Sequence, residues 1–178
     1  MNSPRRKHRS PFDPFRSDHV RVLARLMEME TAAQRDRTID EAGLRGHLEA
    51  LDRQFDTHMA AEEAIFYPLL ARVLPTSQAS LQPLNEEHAD LREMLAELRL
   101  ILDRPRSADR DVQIAIQTRD LVDLLRVHIR KEESVVFDVS ERVLRPGELR
   151  GLHRRLSSFL PARERLGEGS REKGKRAS

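Results

Sequence analysis

Two short figures in the sequence carry side chains that bind cations. His58-Met-Ala-Ala-Glu62-Glu63 lies within residues 56–70, and His128-Ile-Arg-Lys-Glu132-Glu133 repeats it. A histidine and a glutamate four residues apart lie on one face of a helix, so an imidazole nitrogen and a carboxylate oxygen can converge on one ion. A lone histidine precedes each figure: His19 stands 39 residues before His58, and His88 stands 40 before His128. Taken alone, either His–Glu pair reads as a surface salt bridge or a hydrogen-bonded pair in a core. The repetition is what points to metal.

All six residues stand where an aliphatic side chain is expected. Leu44, Leu48, Leu51, Phe55, His58, Glu62, Ile65 and Leu69 follow at alternating steps of four and three, the seam of a helix packed in a bundle. Ile114, Leu121, Leu125, His128, Glu132, Val135 and Val139 form a second seam. His19 shares a stripe with Val22, Leu26 and Met29, and His88 shares one with Leu84, Leu91, Leu95, Leu98 and Leu102. An unpaired polar group taken out of water costs roughly 1–3 kcal/mol, more when ionised, so six at one level need partners. In an antiparallel bundle His19 comes near His58 and His88 near His128, with the two glutamates between. Each of two metal ions then meets two imidazole nitrogens, and both carboxylates bridge. Glu63 and Glu133 read as supports or surface ion pairs more than as ligands. Tyr67, the one tyrosine, reads as packing, with hydrogen-bonding and redox roles open. His47 lies three turns from His58, His8 in the basic tail and His153 in the last helix, all outside the cluster.

Four long helices must position these residues. Helix one is expected from a cap at Asp13-Pro14 or Ser17-Asp18 to about Ala33, and helix two from Thr38 or Asp40 through the long seam, with Pro68 kinking it or tightening its last turn before Pro75. Helix three runs from Ser77 or Ser80 to Leu102 and stops at Asp103-Arg104-Pro105; helix four runs from Ser107 or Asp109 to Val143, broken by Pro146-Gly147. Glu148–Leu160, with Leu149, Leu152, Leu156 and Phe159 on one side, should dock as a fifth helix. No segment shows period-two alternation or a hairpin signal. The expected fold is therefore all-α, an up-down-up-down four-helix bundle with a short C-terminal extra helix. Residues 13–160 form its body, and residues 1–12 and 161–178 are disordered charged tails.

A chain of 178 residues is the size of one domain with a real core. Absence of cysteine excludes disulfides, thiolate metal sites and a thiol nucleophile, leaving imidazole and carboxylate as donors. No signal peptide or long apolar run is present, which points to the cytoplasm and away from a membrane. Residues 1–10 carry +4 and residues 161–178 carry +3, so the total of +2 leaves the body between them at −5. The tails have no interleaved aromatics and no nucleic-acid recognition motif. They read as solubilising ends, with recruitment of a protein partner as the other use.

Nitrogen and oxygen donors without sulfur suit iron, manganese or zinc, and a carboxylate-bridged pair in a helical bundle points to non-haem iron. His19 on helix one, His58-x-x-x-Glu62 on helix two, His88 on helix three and His128-x-x-x-Glu132 on helix four give the chain, over about residues 13–143, its resemblance to the hemerythrin-like (HHE cation-binding) family. The resemblance implies two iron ions with an oxo or hydroxo bridge, held by His19, His58, Glu62, His88, His128 and Glu132, and a small diatomic or peroxide ligand. The oxygen carriers of that family have His-x-x-x-His on the third helix and His-x-x-x-x-Asp on the fourth. Here Arg92 stands four after His88, and Glu132 four after His128. One imidazole fewer makes the two metals nearly equivalent and open, which ranks reversible oxygen storage below sensing, redox or iron-handling roles. The cysteine-bearing segment common in the iron-centre repair branch is missing. The expectation is a di-iron protein binding or sensing oxygen, nitric oxide or peroxide. The alternatives are a di-iron enzyme acting on peroxide or nitric oxide, and an iron-binding, storage or interaction module.

Overall fold

The computed structural model describes residues 10–34, 38–74 and 77–159. The expectations for His8, Leu160 and most of both tails lie outside these residues. The helices are α1 (Asp13–Ala32), α2 (Glu41–Ala61), α3 (Tyr67–Val73), α4 (Ser77–Leu102), α5 (Ala108–Lys131) and α6 (Phe137–Val143), followed by α7 over residues 146–159. Widened turns of π-helix, Glu62–Phe66 and Glu132–Val136, join α2 to α3 and α5 to α6, making two long composite helices. α1 packs on α2 and α5, while α4 packs on α2, α3 and α5. Sequence neighbours are thus neighbours in space, and α1 against α5 closes the up-down-up-down bundle. Among the described residues there is no strand, and no helix is long and apolar enough to cross a membrane.

Local chemistry starts most of these helices. Asp40 caps α2 by accepting from the Gly43 N–H at 2.9 Å, and Ser107 caps α5 by accepting from the Arg110 N–H at 3.1 Å. α1 departs from expectation, for neither Asp13 nor Asp18 caps it. The helix follows Phe12, whose N–H donates to Ser10 Oγ at 3.2 Å, and Pro14 presets the first turn. Pro146 and Gly147 open α7 instead of merely breaking its predecessor. Proline lacks a donor that the first turn has no use for, and Glu148 reaches back to accept from the Arg145 N–H at 2.8 Å. Leu152 and Leu156 of α7 are buried in the bundle end.

The two widened turns correct the seam forecast. The Tyr67 N–H donates to the Glu62 carbonyl, and the Phe137 N–H donates to the Glu132 carbonyl, each five residues back. One extra residue in the turn rotates all that follows. Beyond the second turn Val139 is half-buried while Phe137 and Ser140 turn inward; within the turns Val135 is 55% exposed, whereas Ile65, its counterpart, stays buried as the seam expects. Leu69 is likewise half-buried, with Phe66 and Leu70 taking the inner face. The turn before Pro68 is widened, not tightened, and Pro68 sits in the first turn of α3, where its missing N–H costs nothing. The same widened turn forms at Glu132, where Asp138 replaces the proline, so it belongs to the repeat and not to Pro68.

Two apolar clusters fill the interior. One, built on Leu26, Leu48, Leu51, Leu91, Leu95 and Leu125, occupies the end near the α1–α2 connection. The other gathers Phe12, Phe15, Phe66, Phe137, Leu152 and Leu156. Phe12 stacks on Phe137 at 4.6 Å and meets the edge of Phe66 at 5.1 Å. Fully buried, it packs where the sequence reading placed the tail. Between the clusters lies a polar layer.

Candidate metal centre

That layer consists of His19, His58, Glu62, His88, His128 and Glu132, none more than 2% exposed. Each helix contributes at the point where its apolar stripe is interrupted. His19 Nε2 lies 3.1 Å from His58 Nε2, and His88 Nε2 lies 3.3 Å from His128 Nε2. Glu62 spans the two pairs, with Oε1 3.4 Å from His58 Nε2 and Oε2 3.4 Å from His88 Nε2. Glu132 directs a single oxygen, Oε2, to 3.2 Å from His19 Nε2, 3.6 Å from His128 Nε2 and 4.0 Å from His58 Nε2. Its other oxygen accepts a hydrogen bond from the Tyr67 hydroxyl at 3.1 Å. Two donor groups result, Glu62 with His88, His128 and Glu132, and His19 with His58 and Glu132, each within 4.8 Å.

A ring of carboxylates surrounds the layer. His19 Nδ1 faces Glu133 at 2.9 Å, His88 Nδ1 faces Glu63 at 2.8 Å, His128 Nδ1 faces Glu87 at 3.0 Å and His58 Nδ1 faces Asp18 at 3.4 Å. An imidazole donating from Nδ1 to a carboxylate keeps its Nε2 lone pair free, and all four lone pairs point inward. Glu63 and Glu133 thus support the rings, as their place beside Glu62 and Glu132 suggested. Asp18 and Glu87 were missed. Each directly precedes a lone histidine, but the ring it holds belongs to the neighbouring helix, and that pairing is set by helix packing alone. Arg92 is half-exposed and donates to Glu63 at 2.9 Å. It faces the outer ring, so position 92 does not present a side chain to the layer as the i,i+4 step implied. His47 is remote from the cluster and meets Glu28 at 3.3 Å.

The layer demands positive charge. Burial disfavours the His58 imidazolium, yet Glu62 beside it, with Asp18 and Glu132, holds its pKa well above the usual range. Burial is likewise outweighed at His88, chiefly by Glu62, and its pKa is raised. Burial also opposes the Glu132 carboxylate, but His19, His58 and His128 hold it ionised well below the normal carboxylate range. Both oxygens of Glu62 and Oε2 of Glu132 are buried with no hydrogen-bond donor. Such groups are costly unless a cation meets them. Facing imidazole lone pairs near 3 Å have the same need. The residues therefore fit a metal pair, and the nitrogen–oxygen donor set suits iron, manganese or zinc.

Imidazoles and carboxylates gathered in the core of a four-helix bundle define a helical cation-binding protein. The chain belongs to the hemerythrin family, its residues 10–139 matching the hemerythrin HHE cation-binding domain. No curated protein matches the chain.

Proposed function

We propose that the chain holds a pair of non-haem iron ions and responds through their redox state to oxygen, nitric oxide or peroxide. His19 and His58 hold one ion, His88 and His128 the other, and Glu62 and Glu132 are shared. The observation that carries this reading is the convergence of four Nε2 atoms on three carboxylate oxygens without donors, in a layer closed to water. Iron bound there supplies one-electron redox chemistry. The chain's own residues orient and exclude. The outer carboxylates set the four rings, and the phenylalanine cluster closes one side while the aliphatic cluster closes the other.

Anaerobic purification with metal analysis, followed by absorption spectra on adding oxygen, peroxide and nitric oxide, tests the reading. Two irons per chain, with a bridged di-iron absorption after oxidation, are expected. One zinc, or no metal after anaerobic reconstitution, overturns it. A turnover reading stands beside the sensing one, and one contact bears on it. Burial, with Glu62 and Glu132 nearby, raises the Tyr67 pKa well above the usual phenol range, so this hydroxyl keeps its proton while donating to Glu132. So weak an acid serves as a fixed hydrogen-bond donor that orients Glu132 and does not readily give up its proton. Many equivalents of peroxide consumed per chain support an enzyme; a single redox event supports a sensor.

A further inference from the structure

The four outer carboxylates are arranged in two ways. Asp18 on α1 faces His58 on α2, and Glu87 on α4 faces His128 on α5, both within one half of the repeat. Glu63 and Glu133 cross over. Glu63, in the widened turn after α2, reaches His88 on α4, and Glu133, in the turn after α5, reaches His19 on α1.

Consecutive glutamates therefore clasp one ring at both nitrogens. Glu62 Oε2 stands 3.4 Å from His88 Nε2 while Glu63 Oε1 stands 2.8 Å from Nδ1 of the same ring. Glu132 Oε2 stands 3.2 Å from His19 Nε2 while Glu133 Oε1 stands 2.9 Å from its Nδ1. The clasped histidine in each case belongs to the other half. Neighbouring residues of a regular helix point about 100° apart, following from 3.6 residues per turn. The widened turns begin at these glutamates and set the directions in which the pair reaches. An ordinary surface ion pair with Arg92 would explain Glu63 alone. It does not explain Glu133, which among the described residues has His19 as its only basic partner.

We propose that Glu63 and Glu133 are positioning residues through which each half of the bundle completes the metal position of the other, so that the two positions fill together. An ion bound by His88 and His128 orders Glu132, and with it the clasp on His19; the converse holds through Glu62 and Glu63. The proposal rests on the metal-pair reading above.

The test is anaerobic titration of the full chain and its Glu63→Ala, Glu133→Ala, Glu63→Gln and Glu133→Gln variants with cobalt(II) as the probe, followed by native mass spectrometry. The wild type is expected to pass from no ion to two with little one-ion species. Each alanine variant should show a one-ion species and bind roughly 10–100-fold more weakly, the range typical of lost support to a metal-bound histidine. Glutamine keeps an acceptor for the Nδ1 proton and should restore binding to within a few-fold. The melting temperature of the metal-free protein should fall by less than that of the loaded protein, since both carboxylates are part-exposed and their contacts with the rings are worth more once a cation is held. Alanine variants that fill like the wild type overturn the proposal, as do variants whose metal-free form is destabilised as much as the loaded one. Nitrogen-15 spectra of the metal-free imidazoles read the clasp separately: the His19 and His88 Nδ1 protons should lose their protection from exchange in the alanine variants, and unchanged protection overturns the clasp. A wild type that takes up fewer than two ions overturns the metal-pair reading, whatever the imidazole spectra show.

Discussion

His58 and Glu132 each touch more than one partner in the polar layer, so each removal should be felt by the whole site. Metal that binds the folded chain alone stabilises it by about 4 kcal/mol at roughly 1,000-fold excess over Kd, or about 10 °C in melting temperature for a chain of this size. His58→Ala or Glu132→Ala should abolish most of the difference between loaded and stripped protein in a thermal scan. His47→Ala, outside the cluster, should leave it intact. Protonation gives a second handle. The folded pKa values of His58 and His88 are raised above 6.5, so in metal-free protein their contribution to stability is complete below pH 6.5 and is lost as pH rises through the folded values. Bound metal replaces those protons. Stripped protein should therefore melt lower as pH climbs above 6.5, while loaded protein should not; parallel profiles would disconnect the imidazoles from the cation. Glu63 and Glu87 act in the opposite direction. Burial opposes their ionisation, but His88 and Arg92 outweigh it for the first, and Lys131 and His128 for the second, so both pKa values lie below 4.5. Their contribution is present above pH 4.5 and is lost in acid as pH falls through the folded values.

The widened turns change which side chains face the core beyond Glu62 and Glu132. Under an unbroken helical period Val135 and Val139 belong to the seam; past the extra residue Phe137 takes the interior, and Val135 looks outward although its counterpart Ile65 stays buried. Phe137→Ala should cost about 3–5 kcal/mol in urea unfolding, as expected for a buried aromatic. Val135→Ala should stay within about 0.5 kcal/mol. Equal costs would show that the turn closes to a regular helix in solution. The face of α4 carries a similar lesson. Arg92 sits one turn beyond His88 but donates outward to Glu63, so its exchange for histidine should leave the metal spectrum essentially as in the wild type. A new charge-transfer band in Arg92→His would mean that this face turns further inward than the structure places it.

Across the molecule, the polar layer separates two apolar clusters, and all four long helices contribute to it. Such a layer weakens the stripped bundle at its middle, where buried carboxylates lack donors. In oxygen carriers of the family a fifth imidazole closes one iron. Here no fifth imidazole lies in the layer among the described residues. Stopped-flow mixing of the reduced protein with oxygen should give direct oxidation without a long-lived reversible coloured complex. A reversible complex would make oxygen storage the better description.

Apolar seams at steps of three and four are local properties, and so are the polar residues interrupting them. The helical bundle, the order of its helices and the six residues of the central layer could therefore be read from residue spacing. Caps at Asp40 and Ser107 were legible for the same reason, since each bonds within its own first turn. The widened turns were not legible, because a slip of one backbone hydrogen bond from four residues to five leaves no mark on composition. Nor were Asp18 and Glu87 as supports, or Arg92 as an outward partner. Which ring a carboxylate faces depends on the rotation of two helices about their axes and on the distance between them. Tertiary packing alone decided these contacts, and it also brought Phe12 from the edge of the basic tail onto Phe137.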